Sequence, residues 1–198
     1  MNSLLRLIYT RRHLRKLAKY GKHCRFPIPD MHVFGHVEVG DHCRFRNNAT
    51  LRTYGEGRII FHERSGVSWG CYLEAWDRIE IGPYSGIAEY TVVTDTSPLL
   101  FGDEISWRTA TRNTRPVRIE PNCFVGSNCF IGPGVTIHEG AVIAPFSVVL
   151  SDVGPYEIWS GVPARKVAHR TEGVPAARLA EVAALIAEQG IQKDRYRE

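Results

Sequence analysis

A β-branched aliphatic residue returns at every sixth position along part of the second half of the chain. The series runs without a miss through Ile119, Val125, Ile131, Ile137, Ile143 and Val149. A period of six is neither the 3.6 of a helix nor the simple alternation of an ordinary strand. Such a short internal repeat is typical of a solenoid, in which each unit buries its apolar side chains only against its neighbours.

The same period occurs earlier in the chain, in a phase of its own. It runs through Val33, Val39, Phe45 and Leu51, misses at Gly57 and Glu63, and returns at Trp69, Ala75, Ile81, Ile87 and Val93. Residues two positions earlier are mostly small or apolar, so we expect two inward side chains in each unit. A glycine follows the periodic residue at Gly40, Gly70, Gly82, Gly126 and Gly132, where it favours a turn with positive φ. Alternating strands and turns predict a prism of flat coils stacked about 4.8 Å apart.

Residues 116–168 resemble the left-handed β-helix acyltransferases that are built from hexapeptide repeats. The resemblance lies in RPVRIEPNCFVGSNCFIGPGVTIHEGAVIAPFSVV and in the closing GPYEIWSGVPARKV, which is similar to the family's terminal Gly-x-Pro-Ala-Lys/Arg signature. The pattern is most similar to sugar O-acetyltransferases of the maltose, galactoside, nodulation and colanic-acid types. It implies an all-β solenoid, a left-handed parallel β-helix, that forms a homotrimer. It also implies an acetyl-CoA-dependent O-acetyltransferase for a sugar or cell-surface polysaccharide precursor in the cytoplasm.

The basic residues are concentrated at the start of the chain. Residues 1–29 hold eight lysines and arginines and no acid, although the net charge of the whole chain is only +4. Apolar residues there fall roughly on one helical face, which predicts a basic amphipathic helix. We expect this helix either to cover the open end of the solenoid or to lie, through residues 1–22, on an anionic membrane surface. No recognised motif accompanies the charge, so we expect no nucleic-acid partner.

The remainder of the chain divides into the solenoid, residues 30–170, and a C-terminal segment, residues 171–198. The C-terminal segment predicts a helix from Pro175 to Gln189. Proline suits the first turn of a helix, and the glycine that follows Gln189 suits its end. We expect this helix to brace the last coil or a neighbouring subunit.

The cysteines and histidines do not predict a metal site. The five cysteines form no CxxC pair, and three fall on inward positions of the repeat: Cys43, Cys123 and Cys129. We interpret these three as small core residues in a reducing compartment. A zinc site of the γ-class carbonic anhydrase type needs three histidines in the middle of the prism. The histidines with suitable spacing, His32, His36 and His42, lie in the first coil instead.

Residues 94–116 interrupt the repeat with a long loop. Such an excursion between regular coils is more often functional than idle. The resemblance implies that the loop borders the active site at a trimer interface. We therefore assign Trp107 and Arg108 of the loop, together with Glu74 of the preceding coil, to the binding pocket for the acceptor.

Acetyl transfer needs a base that takes the proton of the attacking hydroxyl. In the family this base is a histidine after the coil that precedes the loop, and here Pro98 occupies its position. No histidine occurs between Glu63 and Ile137. Three alternatives follow. Asp95, which aligns with an acid of the family, acts as the base or polarises it; His138 reaches the site from a neighbouring subunit; or the protein is catalytically silent and binds a glycan, a nucleotide-linked metabolite or a protein partner.

The last repeats are expected to bind coenzyme A. In the family, small residues here line the pantetheine arm, which points to Gly126, Ser127, Gly132 and Ser147, although the glycines also suit simple turns. Arg165 and Lys166 align with the basic residue that approaches the adenosine phosphates. The same two residues would also suit a solvent-exposed turn that binds no ligand. Phe146 replaces a glycine of the family and either narrows the groove or stacks on the ligand.

Overall fold

The computed structural model describes residues 16–27, 31–100, 106, 108, 110–178, 180, 181 and 184. The strands in this part of the chain are β1 (Lys19–Tyr20), β2 (His32–Phe34), β3 (His36–Val39), β4 (Arg44–Phe45), β5 (Thr50–Thr53), β6 (Arg58–Phe61), β7 (Gly66–Val67), β8 (Tyr72–Ala75), β9 (Arg78–Ile81), β10 (Gly86–Ile87), β11 (Val92–Thr94), β12 (Thr96–Pro98), β13 (Arg112–Thr114), β14 (Val117–Ile119), β15 (Phe124–Val125), β16 (Phe130–Ile131), β17 (Thr136–Ile137), β18 (Val142–Ile143), β19 (Val148–Val149), β20 (Glu157–Gly161) and β21 (Ala164–His169). Helical residues begin at Ala176, directly after the proline predicted to start a helix. The end of that predicted helix lies outside the described residues.

The strands form three faces around one core. Face 1 contains β1-β3-β6-β9-β14-β17, face 2 contains β4-β7-β10-β15-β18-β20-β21, and face 3 contains β2-β5-β8-β11-β16-β19. Neighbouring strands within each face are parallel, except that β20 and β21 form an antiparallel hairpin. The chain visits the three faces in turn, so each coil stacks on the one before it. The predicted parallel β-solenoid is confirmed.

Three edges join the faces. The 1–2 edge contains residues 62–65, 82–85 and 120–123, and the 2–3 edge contains residues 68–71, 88–91 and 126–129. The 3–1 edge contains residues 54–57, 76–77 and 132–135 and, between β11 and β14, the excursion that includes β12 and β13. From β3 to β19, the 3–1 edge varies in length from coil to coil, whereas the other two edges keep four residues per turn.

The variable edge explains the two misses in the six-residue period. Val39 pairs with Phe61 across 22 residues of chain, whereas Ile119 pairs with Ile137 across 18. The extra residues change the phase of the repeat after β5. Trp69 was predicted to point inward but is 53% exposed on the 2–3 edge, and Val67 is the buried residue at this level.

The inward residues of the repeat form a continuous apolar core. The six β-branched residues of the regular series, Ile119, Val125, Ile131, Ile137, Ile143 and Val149, are all at most 1% exposed. Complete burial of one such side chain contributes about 1.5–3 kcal/mol, so neighbouring coils stabilise one another mainly through this column. Four of the five cysteines are also buried and all five are free, which confirms the interpretation of Cys43, Cys123 and Cys129 as core residues.

Positive φ angles occur at the third residue of the edge turns rather than at the predicted first residue. Residues other than glycine with this backbone conformation are His23, His42, Asn48, Arg64, Tyr84, Tyr90, Asn122, Asn128, Phe146 and Tyr156. Of the glycines predicted to supply it, Gly70 does so because it is itself a third residue. At Gly82 a glycine is required for a different reason, the close stacking of neighbouring coils. A Cβ there would lie 2.7 Å from the carbonyl carbon of Glu120 in the next coil.

The solenoid begins before its predicted boundary at residue 30. β1 pairs in parallel with β3, and the ring of Phe26 stacks on Phe45 at 5.3 Å between centroids. Residues 19–26 therefore belong to the first coil rather than to a helix. The basic side chains of this segment favoured the prediction of an amphipathic helix, so the coil was not predicted from the sequence. The earlier part of the predicted amphipathic helix, residues 1–15, lies outside the described residues.

Candidate active site at the 3–1 edge

The long excursion leaves the prism as a two-stranded ribbon. β12 and β13 pair antiparallel, with Pro98 opposite Arg112. The hydroxyl oxygens of Thr96 and Thr114 lie 3.1 Å apart and hold the base of the ribbon together. Pro98, at the position of the family's histidine, is thus part of a regular strand on the outside of the prism. Arg108 is exposed farther along the loop, whereas Trp107 lies outside the described residues.

Asp95 anchors the point where the excursion begins. Its side chain is completely buried. One carboxylate oxygen accepts the backbone N–H of Trp76 at 2.9 Å, and the other accepts that of Asp77 at 2.7 Å. Burial raises the pKa of Asp95, while these backbone hydrogen bonds act in the opposite direction. Because a buried carboxylate bonded to the chain itself does not meet a substrate, the predicted role of Asp95 as a base needs revision.

Glu74 lies beside Asp95 and faces outward from face 3. It pairs with Thr94 in the neighbouring strand. Its two carboxylate oxygens accept hydrogen bonds from the hydroxyl of Tyr72 at 2.5 Å and from the indole N–H of Trp76 at 3.3 Å. Burial, and then the hydrogen bond to Glu74, raise the pKa of Tyr72 to about 12, so the phenol stays protonated as a donor.

An aromatic and cationic group surrounds this carboxylate. The ring of Trp76 stacks on Tyr54 with 4.5 Å between centroids, and the guanidinium carbon of Arg112 lies 4.3 Å from the same Trp76 centroid. Arg52 donates to the hydroxyl of Tyr54 at 3.2 Å. Charged and aromatic side chains from three coils thus meet where the ribbon leaves the prism, which is a surface suited to a hydroxyl-rich ligand. Sequence reasoning selected only Glu74 from this group; the signal it missed is that Tyr54 and Trp76 begin the irregular 3–1 turns.

His138 lies on the 1–2 edge, on another side of the prism from Glu74. Its Nδ1 is 3.2 Å from a carboxylate oxygen of Glu120, and its side chain is 41% exposed. His62 occupies the equivalent position of an earlier coil and contacts Glu80 through Nε2 at 2.7 Å. A depression of about 270 Å³ is lined by His62, Glu80 and Glu120. Each pair joins an imidazole to a carboxylate, and the His138 pair leaves Nε2 outside that contact.

The residues predicted to bind coenzyme A are distributed over separate parts of the solenoid. Gly126 and Ser127 lie on the 2–3 edge, where the Ser127 hydroxyl donates to Glu89 at 2.7 Å. Gly132 is buried on the 3–1 edge. Ser147 is also buried, donating to the carbonyl of Ala144 at 2.7 Å. The Ser147 hydroxyl thus closes a turn of the backbone, and its contact with coenzyme A stays a prediction.

The basic pair near the C-terminus lies on β21 in the antiparallel hairpin of face 2. Lys166 forms an ion pair with Glu157 at 2.9 Å, and Arg165 is exposed. Phe146 takes a left-handed backbone conformation, with φ of 60°, and its ring is 70% exposed. That conformation explains why a glycine is the usual residue at this position of the turn.

A single chain does not gather the predicted site residues in one place. Glu74 and Asp95 are adjacent, whereas His138, Ser127 and Lys166 lie on other edges or faces. Across the described ranges, no group of three or more His, Cys, Asp or Glu side chains is arranged to hold a metal ion. Within those ranges there is also no helix long and apolar enough to cross a membrane.

Comparison with known proteins supports the repeat and the fold. Residues 116–151 match the family model described as bacterial transferase hexapeptide (six repeats). This segment contains the regular six-residue series, so the predicted hexapeptide repeat is confirmed. No curated protein sequence matches the chain at a significant level.

Several solved structures share the solenoid. A point mutant of AntD, an N-acyltransferase from Bacillus cereus in complex with dTDP-4-amino-4,6-dideoxyglucose and coenzyme A, superposes with a TM-score of 0.75 at 20% identity, covering 91% of this chain and 97% of that chain. The hexapeptide-repeat acetyltransferase VCA0836 from Vibrio cholerae has a TM-score of 0.54 at 23% identity, covering 84% of this chain and 87% of its own. A galactoside acetyltransferase in complex with coenzyme A has a TM-score of 0.50 at 19% identity, covering 82% and 71%. At these identities the similarity establishes the fold.

Proposed function

We propose that the protein is an acyltransferase that moves an acetyl group from acetyl-CoA to a hydroxyl of a sugar or polysaccharide precursor. The observation that carries the proposal is the group of Glu74, Tyr72, Trp76 and Arg112 beside the ribbon, an outward carboxylate framed by hydrogen-bond donors and an aromatic surface. The fold supports it, since AntD holds coenzyme A and a nucleotide-linked sugar on a similar solenoid.

In the proposed reaction the acceptor oxygen attacks the thioester carbonyl carbon. A C–O bond forms, the C–S bond breaks, the hydroxyl proton passes to a base, and the thiolate of coenzyme A takes up a proton. Glu74 accepts a hydrogen bond from the acceptor sugar and orients it, and Arg108 and Trp107 of the loop complete the acceptor pocket. A carboxylate with two internal donors retains lone pairs for such a contact.

We assign the proton transfer to His138 of a neighbouring subunit in a homotrimer. The contact between its Nδ1 and Glu120 fixes the imidazole with Nε2 as the proton acceptor, the arrangement that general-base histidines use. Asp95 is a positioning residue in this scheme, because it holds the backbone of Trp76 and so keeps the Glu74 group in place. A site shared between subunits is consistent with the separation of these residues within one chain.

Coenzyme A is proposed to lie along the later coils. Gly126, Ser127 and Gly132 offer little side-chain bulk beside its pantetheine arm, and Arg165 and Lys166 supply positive charge for its phosphates. Lys166 already pairs with Glu157, so Arg165 is the freer of the two cations to attract a phosphate. Phe146 protrudes from the 2–3 edge near this path and sets the width available to the acyl group.

Turnover tests the proposal directly. Purified protein is mixed with acetyl-CoA and a panel of sugars and nucleotide-linked sugars, and release of free coenzyme A thiol is measured. We expect acceptor-dependent release. His138→Asn should lower kcat by about 10²–10⁴-fold, the usual contribution of a general base. His62→Asn, which changes the equivalent position of another coil, is the matched control and should leave kcat unchanged.

Subunit mixing tests whether the site is shared. His138→Asn and Glu74→Ala should each be inactive alone, and mixed trimers of the two should regain activity because some interfaces then carry both native residues. Absence of both turnover and acetyl-CoA binding across the panel would favour the catalytically silent alternative. Activity that survives His138→Asn but is lost in His62→Asn would transfer the role of base to His62.

A further inference from the structure

Face 2 carries a groove that meets the proposed path of coenzyme A only at Ser127. It has a volume of about 430 Å³ and crosses strands β4, β7 and β10. Its lining includes three arginines from the first two coils of this face, Arg44, Arg46 and Arg64. Pockets of this size hold small organic ligands in proteins. The groove lies on the opposite side of the 1–2 edge from the depression beside His62 and away from the Glu74 group on face 3.

Arginines flank the groove on both edges of face 2, with Arg64 on the 1–2 edge and Arg46 on the 2–3 edge. Arg46 and Arg64 are exposed, and among the described residues neither forms an ion pair with an acidic side chain. The carboxylate in the lining, Glu89, is instead bonded to two hydroxyls, of Ser68 at 2.6 Å and of Ser127 at 2.7 Å. These bonds hold the pKa of Glu89 below its usual value, so it stays ionised without consuming an arginine. A guanidinium presents paired donors that match phosphate and carboxylate oxygens.

Partly exposed aromatic side chains lie beside the arginines. Tyr84 and Phe124 are 38% and 50% exposed, and the guanidinium carbon of Arg64 lies 5.7 Å from the Tyr84 ring centroid. The floor between the two edges is formed by Gly66 and Gly86, whose lack of side chains makes the depression. A ring placed over this floor contacts the aromatic side chains while an acidic substituent reaches the arginines.

We propose that this groove binds a saccharide that carries a phosphate or carboxylate group. A neutral sugar leaves Arg46 and Arg64 unmatched, and an isolated anion leaves the rings of Tyr84 and Phe124 uncovered. The volume accommodates one or two sugar rings. Binding here does not depend on acyl transfer, so the inference stands or falls separately from the proposed function.

Equilibrium binding tests the proposal with four probes: glucose 1-phosphate, glucuronic acid, glucose and inorganic phosphate. Isothermal titration calorimetry at low ionic strength should show that glucose 1-phosphate or glucuronic acid binds at least about tenfold more tightly than glucose or phosphate, as a charge-assisted contact predicts. The stronger of the two acidic sugars identifies the acidic group. Added salt should weaken the binding, because the arginines are exposed.

Three variants locate the binding. Arg46→Gln and Arg64→Gln should each weaken binding about tenfold. Gly86→Leu should abolish it by filling the floor; the nearest atom to a Cβ there is Cδ2 of Phe124 at 4.0 Å, so the fold accommodates the change. Arg58→Gln, an exposed arginine of β6 on face 1, is the matched control and should bind like the unchanged protein.

Four results would overturn the inference. These are failure of all four probes to bind, equal affinity for inorganic phosphate and the acidic sugars, an equal loss in Arg58→Gln and Arg64→Gln, and a changed oligomeric state in Gly86→Leu. The last, measured by light scattering, would show that the groove is an interface between copies of the chain.

Discussion

Replacing Asp95 by alanine should destabilise the protein without removing a proton acceptor from the reaction. The substitution leaves the N–H groups of Trp76 and Asp77 without their acceptors, now at 2.9 and 2.7 Å. Each orphaned donor costs about 1–3 kcal/mol, and loss of a buried charge returns part of that sum. We expect the free energy of unfolding to fall by about 2–4 kcal/mol. Asp95→Asn keeps one acceptor oxygen and should lose about half as much.

Urea unfolding followed by circular dichroism measures these differences, at one fixed protein concentration because subunit association contributes to stability. Asp77→Asn is the control, since Asp77 is exposed and its side chain should matter by no more than about 0.5 kcal/mol. If Asp95→Ala unfolds within that margin of the unchanged protein, the anchoring role is wrong. If Asp95→Asn folds normally but loses turnover as severely as His138→Asn, Asp95 takes part in the chemistry.

The pH dependence of stability gives a second test of the same residue. Burial raises the pKa of Asp95 in the folded state above its ordinary value of 3.8. A raised carboxyl pKa contributes stability that is present below the unfolded pKa and is lost as the pH rises through the folded pKa. The stability of the native protein relative to Asp95→Asn should therefore be greatest in acid and decrease toward neutral pH. A difference that grows with pH would mean that the backbone hydrogen bonds outweigh burial.

Three further predictions concern other parts of the solenoid. Glu74→Gln should lower the pKa of Tyr72 from about 12 toward 10, because the phenol loses its anionic hydrogen-bond acceptor. Ultraviolet titration near 295 nm, with Tyr72→Phe as the blank, measures this pKa. An unchanged pKa would assign the shift to burial alone. In the native protein Cys24, which is only half-buried, should react with a thiol reagent far faster than the other four cysteines; several fast thiols would contradict the described core. Phe146→Gly should leave the free energy of unfolding unchanged or raise it by about 1 kcal/mol, because glycine adopts the left-handed backbone conformation without strain and the lost ring is exposed. Phe146→Val should lower the free energy of unfolding. A large decrease in Phe146→Gly would show that the ring is buried in the assembly.

The regular part of the repeat was predictable because its side chains pack only against the neighbouring coils. Each coil from Ile119 to Val149 has the same length, so the inward residues recur at a constant spacing and the period survives in the sequence. The earlier coils contain insertions at the 3–1 edge, which shift the phase of the six-residue repeat. A repeat of constant phase therefore predicts, wrongly, that Trp69 lies in the core. The first coil was missed because its outward side chains are basic, a property that a solenoid face and an amphipathic helix share.

The candidate site was only partly predictable for a different reason. Glu74 and the excursion after Thr94 were selected from the sequence, yet Tyr72, Trp76 and Arg112 were not. Their importance depends on contacts between coils: Arg112 meets Trp76 across the base of the ribbon, far apart in the chain. Asp95 and Ser147 show the same dependence on tertiary structure, since the sequence does not reveal that the hydrogen-bond partners of both side chains are backbone groups.

The six-residue period is enough to predict a solenoid of six-residue units with a break after residue 94. Each unit buries its apolar side chains only against the neighbouring units. Apolar residues therefore recur at a fixed spacing in the sequence. Which polar side chains are available to a ligand follows from the contacts between coils, which the period does not reveal. Hydrogen bonding and burial depend on what the adjacent coil places opposite each residue, and the insertions at the 3–1 edge change that placement from coil to coil.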